Sequence, residues 1–166
     1  MNESSGPVCA VLDLGSNSFH LLIGRLANGR LVTLDRRKDM VRLAQGLEGD
    51  GQLSEPVMGR ALDSLTVFAQ QLRNIPRSNV RVVGTNTLRA AHNADVFLER
   101  AEKIIGAPVD VISGQEEGRL IFLGVAKGHA SNAIRRLVVD IGGGSTEWIV
   151  RGRKAKRAER RLSDCL

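Results

Sequence analysis

Two spacings of apolar residues alternate along the chain. Val8–Leu14, Ser18–Leu26, Val80–Gly84 and Val109–Ile112 are short, nearly continuous apolar runs, the pattern of buried strands. Asn28-Gly29 predicts a two-residue hairpin turn into a third strand at Arg30–Asp35, and Met40–Ala44 reads as further extended chain. Val57, Ala61, Leu62, Leu65, Phe68, Ala69 and Leu72 instead recur at helical spacing, after Ser54 as N-cap with Glu55 and Pro56 in the first turn. A second helix is predicted from an Asn93 cap through Val96, Phe97, Ala101, Ile104 and Ile105 to a Gly106 stop. A third opens at Ser113–Glu116 and carries Leu120, Ile121, Leu123 and Val125. Strands first, then alternating helices and strands, predict an α/β domain with a mixed sheet over residues 7–128.

The stretch Val138–Val150, VVDIGGGSTEWIV, reads as a strand, a glycine turn and a returning strand, the opening hairpin of a second unit over 136–150. A turn without side chains lets backbone N–H groups approach an anion. Asp140 and Glu147 flank it with carboxylate oxygens, the hard ligands that Mg²⁺ prefers. An ordinary glycine hairpin with incidental acids has the same pattern, but Val8–Gly24 repeats the order: apolar run, Asp13, Leu14, Gly15, Ser16, Asn17, Ser18, apolar run. Two acid-marked turns predict two half-sites facing across a cleft.

Composition narrows the classes. In 166 residues, 42% hydrophobic content suits a globular core, no apolar run is long enough to span a membrane, and Met1–Pro7 is short and polar, unlike a signal peptide. The two cysteines, Cys9 and Cys165, suggest no disulfide framework and point to a reducing cytoplasm. The net charge of +6 resides mostly in 151–166, a basic tail with seven Lys/Arg against two acids. That tail has no interleaved aromatics for base stacking, so specific nucleic-acid binding is not expected.

Thr85, Asn86, Thr87 and Arg89 follow a strand's carboxyl end, where ligands dock in open α/β sheets. Ser113-x-x-Glu116 matches a capping box, which gives Glu116 a structural role. Glu117 is turned about 100° further around the helix, where it could face the cleft and orient water; taken alone, it reads rather as a solvated first-turn acid that favours the helix dipole. His20, His92 and His129 lack metal-ligand spacing and read as ordinary polar positions.

VLDLGSNSFHLLI, VVGTNTLRAA, VISGQEEGRLIFLGV and VVDIGGGSTEWIV, in this order and spacing, closely resemble the exopolyphosphatase/guanosine pentaphosphate phosphatase (Ppx/GppA) family. LSEPVMGRALDSLTVFAQQL resembles its bacterial exopolyphosphatase branch. The resemblance implies a ribonuclease H-like fold of the actin-like superfamily. It also implies Mg²⁺-assisted release of terminal phosphate from inorganic polyphosphate, or from guanosine pentaphosphate. By motif, Glu117 activates water, Asp13, Asp140 and Glu147 hold Mg²⁺, and Ser16, Asn17, Arg89, Gly143, Gly144 and Ser145 bind phosphate. Family members are considerably longer, which predicts that this chain is their N-terminal portion, with weak or no turnover alone. The family further implies a cytoplasmic or membrane-peripheral protein and a homodimer at full length. An ATP-dependent kinase of the same superfamily and a non-catalytic phosphate-binding remnant are the other classes.

Overall fold

The computed structural model describes residues 6–128 and 135–152; His129, the connection it begins, and 153–166 with Cys165 lie outside the described residues. A five-stranded sheet runs in the order β3-β2-β1-β4-β5. Its strands are β1 (Val8–Leu14), β2 (Phe19–Ala27), β3 (Arg30–Asp39), β4 (Val80–Gly84) and β5 (Val109–Val111). β1, β2 and β3 are antiparallel neighbours, whereas β4 and β5 join parallel to β1. This is the mixed sheet that the alternation of patterns predicts, and it agrees with the ribonuclease H-like fold that the family resemblance implies.

The period-2 alternation decides which face is covered. Ala10, Leu12 and Leu14 of β1 and Phe19 and Leu21 of β2 are buried against α1 (Glu55–Leu72) and α3 (Ala94–Ile105). These helices contribute Met58, Ala61, Leu65 and Phe68, and Phe97 and Ala101. Each large side chain buried here stabilises the fold by about 1.5–3 kcal/mol. α3 ends at Gly106 with φ 74°, a left-handed C-cap that glycine adopts without Cβ strain. Asn93 does not cap α3 through its side chain, which instead bonds the Leu53 backbone in both directions.

Three segments differ from the sequence expectation. β3 continues to Asp39, because β2 supplies paired partners through Phe19. Met40–Ala44 is not extended: Arg42 takes a left-handed conformation and Leu43–Gly46 form a 3-10 turn. The Arg42 and Ala44 N–H groups there bond the Asn17 and Ser16 carbonyls, so this turn holds the first glycine loop from below. Thr85–Ala91, to which the apolar pattern assigns no element, contains α2 (Asn86–Ala90).

β6 (Arg135–Ile141) and β7 (Thr146–Gly152) form a separate two-stranded sheet. β7 thus takes in Arg151 and Gly152, the first residues of the expected basic tail, and the Arg151 guanidinium lies 5.3 Å from the Phe122 ring centroid. α4 (Gly114–Gly128) packs on this hairpin at Gly118, against Ile149. Leu137, Val139 and Ile141 point the other way and are exposed. No helix among the described residues is long and apolar enough to cross a membrane.

Candidate active site

The two glycine turns meet. A Cβ on Gly143 would lie 2.5 Å from Asn17 Cβ, and one on Gly144 would lie 3.0 Å from Ser16 Oγ and 2.8 Å from Asn86 Nδ2. Only glycine permits that approach. Asn86 Nδ2 donates to the Gly144 carbonyl at 2.8 Å, and Thr87 Oγ1 donates to buried Ser16 Oγ at 2.7 Å. α2 therefore fastens both turns. Asn86 and Thr87 owe this position to the short helix that their polar sequence conceals.

Between the turns lies a cleft of about 320 Å³. Its lining includes Asp13, Ser16, Asn17, Glu117, Asp140, Gly143, Gly144 and Ser145, eight of the ten residues the motifs predict. Glu147 lies beneath its surface, 7% exposed and directly across the β6–β7 ladder from Asp140. Arg89 stands behind Glu117 rather than on the wall, its Nη1 donating to Glu117 Oε2 at 2.9 Å and to the Ile112 carbonyl at 2.7 Å. Two residues of the lining, His20 and Lys38, stand out in neither the motifs nor the periodicity. His20 Nε2 and Ser18 Oγ are 2.8 Å apart, and burial and then the Lys38 charge push the His20 pKa down.

Glu116 and Glu117 separate cleanly. The Glu116 N–H donates to Ser113 Oγ at 3.1 Å, the N-cap half of the capping box, and its carboxylate accepts two 2.6 Å hydrogen bonds from Arg119. Glu117 points into the acidic centre. Carboxylate oxygens of Glu117, Asp140 and Glu147 lie within 4.8 Å of one another. Asp13 shares the cleft and feels two of these charges: burial first, then Glu117 and Asp140, push its pKa up to about 6. Burial also raises the Glu117 pKa; the Arg89 hydrogen bond opposes this, while Glu147 and Asp140 reinforce it.

Such a concentration of half-buried carboxylates around a buried one is costly unless a cation or protons compensate it. Among the described residues, both Glu147 oxygens and Asp13 Oδ1 are buried without a hydrogen-bond partner. Hard oxygen donors lacking protein partners fit a hard divalent cation such as Mg²⁺. Distance groups Glu117 with Asp140 and Glu147, and Asp13 adds a fourth carboxylate from β1, just before the facing turn.

Comparison with known proteins agrees with this geometry. Residues 22–160 match the Ppx/GppA phosphatase family. A guanosine-5′-triphosphate,3′-diphosphate pyrophosphatase of Vibrio campbellii is 52% identical over 147 residues, 88% of this chain and 29% of that protein. One from Aliivibrio fischeri is 50% identical, covering 90% of this chain and 30% of that protein. The chain thus spans under a third of the length of these curated relatives. Among solved structures, an exopolyphosphatase from Cytophaga hutchinsonii superposes with a TM-score of 0.85 at 34% identity, over 93% of this chain and 50% of that one. A Ppx/GppA family member from Aquifex aeolicus superposes at 0.80 with 29% identity, over 95% of this chain and 51% of that one. With the facing turns and the sequence match in agreement, the chain belongs to the Ppx/GppA phosphatase family.

Proposed function

We propose that this chain is the N-terminal part of a phosphoanhydride hydrolase that removes the terminal 5′-phosphate of guanosine pentaphosphate. The observation that carries this reading is the contact of two glycine turns beside carboxylates whose oxygens lie within 4.8 Å of one another. Phosphoryl transfer to water needs positioning and charge compensation more than covalent chemistry. Glu117, oriented by Arg89, takes a proton from the attacking water. Backbone N–H groups of Gly143, Gly144 and Ser145, with Ser16 and Asn17 opposite, hold the phosphate in line. The water oxygen bonds to phosphorus, the bridging P–O bond breaks, and orthophosphate leaves guanosine tetraphosphate. Mg²⁺, held by Asp140 and Glu147 with Asp13 opposite, would supply compensation of phosphate charge. Arg89 acts chiefly by fixing Glu117; its Nε and Nη2 are buried and unpartnered among the described residues.

Inorganic polyphosphate is the second reading, supported by the structural likeness to an exopolyphosphatase. The curated relatives, at 50–52% identity against 34%, favour the nucleotide. We also propose that 7–128 is one domain, that the β6–β7 hairpin opens a second, and that the protein is cytoplasmic and dimeric at full length.

The test is orthophosphate release with Mg²⁺ from guanosine pentaphosphate and from long-chain polyphosphate, for this chain and its Glu117→Gln variant. Release from the nucleotide that vanishes in the variant is expected, at a weak absolute rate. Faster release from polyphosphate would reverse the substrate assignment, and equal release from both proteins would remove Glu117 from the reaction.

A further inference from the structure

The cleft does not stop at the acidic centre. Asp13 of β1 is paired with His20 of β2, and His20 with Lys38 of β3. Residues directly opposite in antiparallel strands share a face, so the three form one row across the sheet. Each strand adds about 4.8 Å, which places the Lys38 backbone about 10 Å from that of Asp13. All three residues line the same cleft. Within Arg36–Lys38, Lys38 is the member on that wall. Arg37, on the opposite face, pairs with Asp35 at 3.3 Å. Lys38 is exposed, and among the described residues its ammonium has no hydrogen bond or carboxylate partner.

Resting on the hydrolase reading above, we propose that Lys38 binds a substrate phosphate lying beyond the one attacked. His20, tied to Ser18, is the floor between the two positions. An unpaired ammonium on an edge strand also serves solubility. Here it faces inward along a row that begins at a carboxylate of the acidic centre, so a polyanion anchored there and extending across β2 reaches it. Lys38 is thus a specificity-determining residue that favours substrates carrying further phosphates. In linear polyphosphate the group it binds is a later phosphate of the chain; in guanosine pentaphosphate it is the 3′-diphosphate.

The experiment is calorimetric binding with Mg²⁺ in the Glu117→Gln background, which holds substrate without turnover. The probes are orthophosphate, long-chain polyphosphate and guanosine pentaphosphate. Lys38→Met is expected to weaken a long or doubly phosphorylated probe about tenfold, the loss of one charge-assisted contact. Its effect on orthophosphate should be under about twofold, and Lys38→Arg should restore the loss. Loss confined to polyphosphate, or to the nucleotide, supports the inference and identifies which group sits at Lys38. Unchanged affinity for both in Lys38→Met, with Mg²⁺-dependent binding otherwise intact, overturns this inference alone. Failure of the parent protein to bind either probe overturns the hydrolase reading with it.

Discussion

Arg89 Nη1 donates to Glu117 Oε2 at 2.9 Å, and the two side chains are only 15% and 14% exposed. The arginine is anchored by its bond to the Ile112 carbonyl, at the end of the sheet from which α4 departs. An acid that burial and neighbouring carboxylates push toward protonation is thereby kept available as a base.

Removing that partner should therefore shift the pH profile as well as the rate. Arg89→Ala deletes the hydrogen bond that lowers the Glu117 pKa and leaves burial and the charges of Glu147 and Asp140 unopposed. The acid limb of kcat/KM is expected to move to higher pH, with activity at neutral pH down at least tenfold, about 1.4 kcal/mol. Arg89→Lys should recover only part, because the shorter side chain keeps the charge but does not bring its ammonium to where one guanidinium nitrogen, Nη1, bonds both Glu117 and the Ile112 carbonyl. A profile whose acid limb stays in place in Arg89→Ala would detach the pair from catalysis.

Asp13 makes stability depend on pH in a defined direction. Its folded pKa of about 6 lies above the ordinary 3.8, so the folded state binds the proton more tightly than the unfolded chain. The cost of ionising Asp13 is absent below pH 3.8, grows as pH rises from 3.8 to about 6, and is fully present above that. A shift of about two units corresponds to at most about 3 kcal/mol. Without divalent cations, Asp13→Asn is expected to raise Tm at pH 7 and to flatten its fall between pH 4 and 6. Added Mg²⁺ should stabilise the parent more at pH 7 than at pH 5. A parent melting profile that rises through this window would contradict the assignment.

Contact between the two turns gives a steric prediction. Gly143→Ala places a methyl 2.5 Å from Asn17 Cβ, with the Asn17 N 3.1 Å away, so backbone must move. Overpacking of this kind costs about 1–3 kcal/mol, and the turns separate. Phosphate affinity should fall while Mg²⁺ affinity falls less, because Asp140 and Glu147 are on the strands rather than in the turn. Calorimetry with each ion tests this, and undiminished phosphate affinity would show that the turn accommodates the methyl.

The turns and their acids were legible because each depends on local pattern: an apolar run, an acid, glycines, and a second run. Asp140 and Glu147 lie seven residues apart yet directly opposite, a consequence of the hairpin register that the sequence anticipates. What remained hidden was set by distant partners. Lys38 joins the cleft because β2 extends β3 beyond Asp35. Arg89 serves Glu117 across 28 residues of chain, a distance no period reveals. Thr85–Ala91 has few apolar residues to announce α2, although Thr87 is fully packed under Ser16. The exposure of Leu120 and Leu123 shows that α4 seats its small residue, Gly118, against the hairpin rather than those leucines.

Gly118 consequently controls a site it does not touch chemically. A Cβ there would lie 3.1 Å from Ile149 Cγ1, 3.2 Å from Ile149 Cδ1 and 4.0 Å from Glu147 Cβ. The nearest atoms belong to the flexible end of an isoleucine, so Gly118→Ala needs only a small adjustment, and alanine favours the helix by up to about 1 kcal/mol. That variant is expected to melt close to the parent. Gly118→Val adds two more methyls, which the Ile149 rotamer cannot absorb, and pushes β7 off α4. Glu147 and Ile149 lie on the same buried side of β7, so Glu147 moves with its strand, away from Glu117 and Asp140. Mg²⁺ affinity should then fall about tenfold, or 1.4 kcal/mol, without any change to a carboxylate. Parent-like Mg²⁺ binding in Gly118→Val would mean that the α4–β7 contact does not set the spacing of the acidic centre.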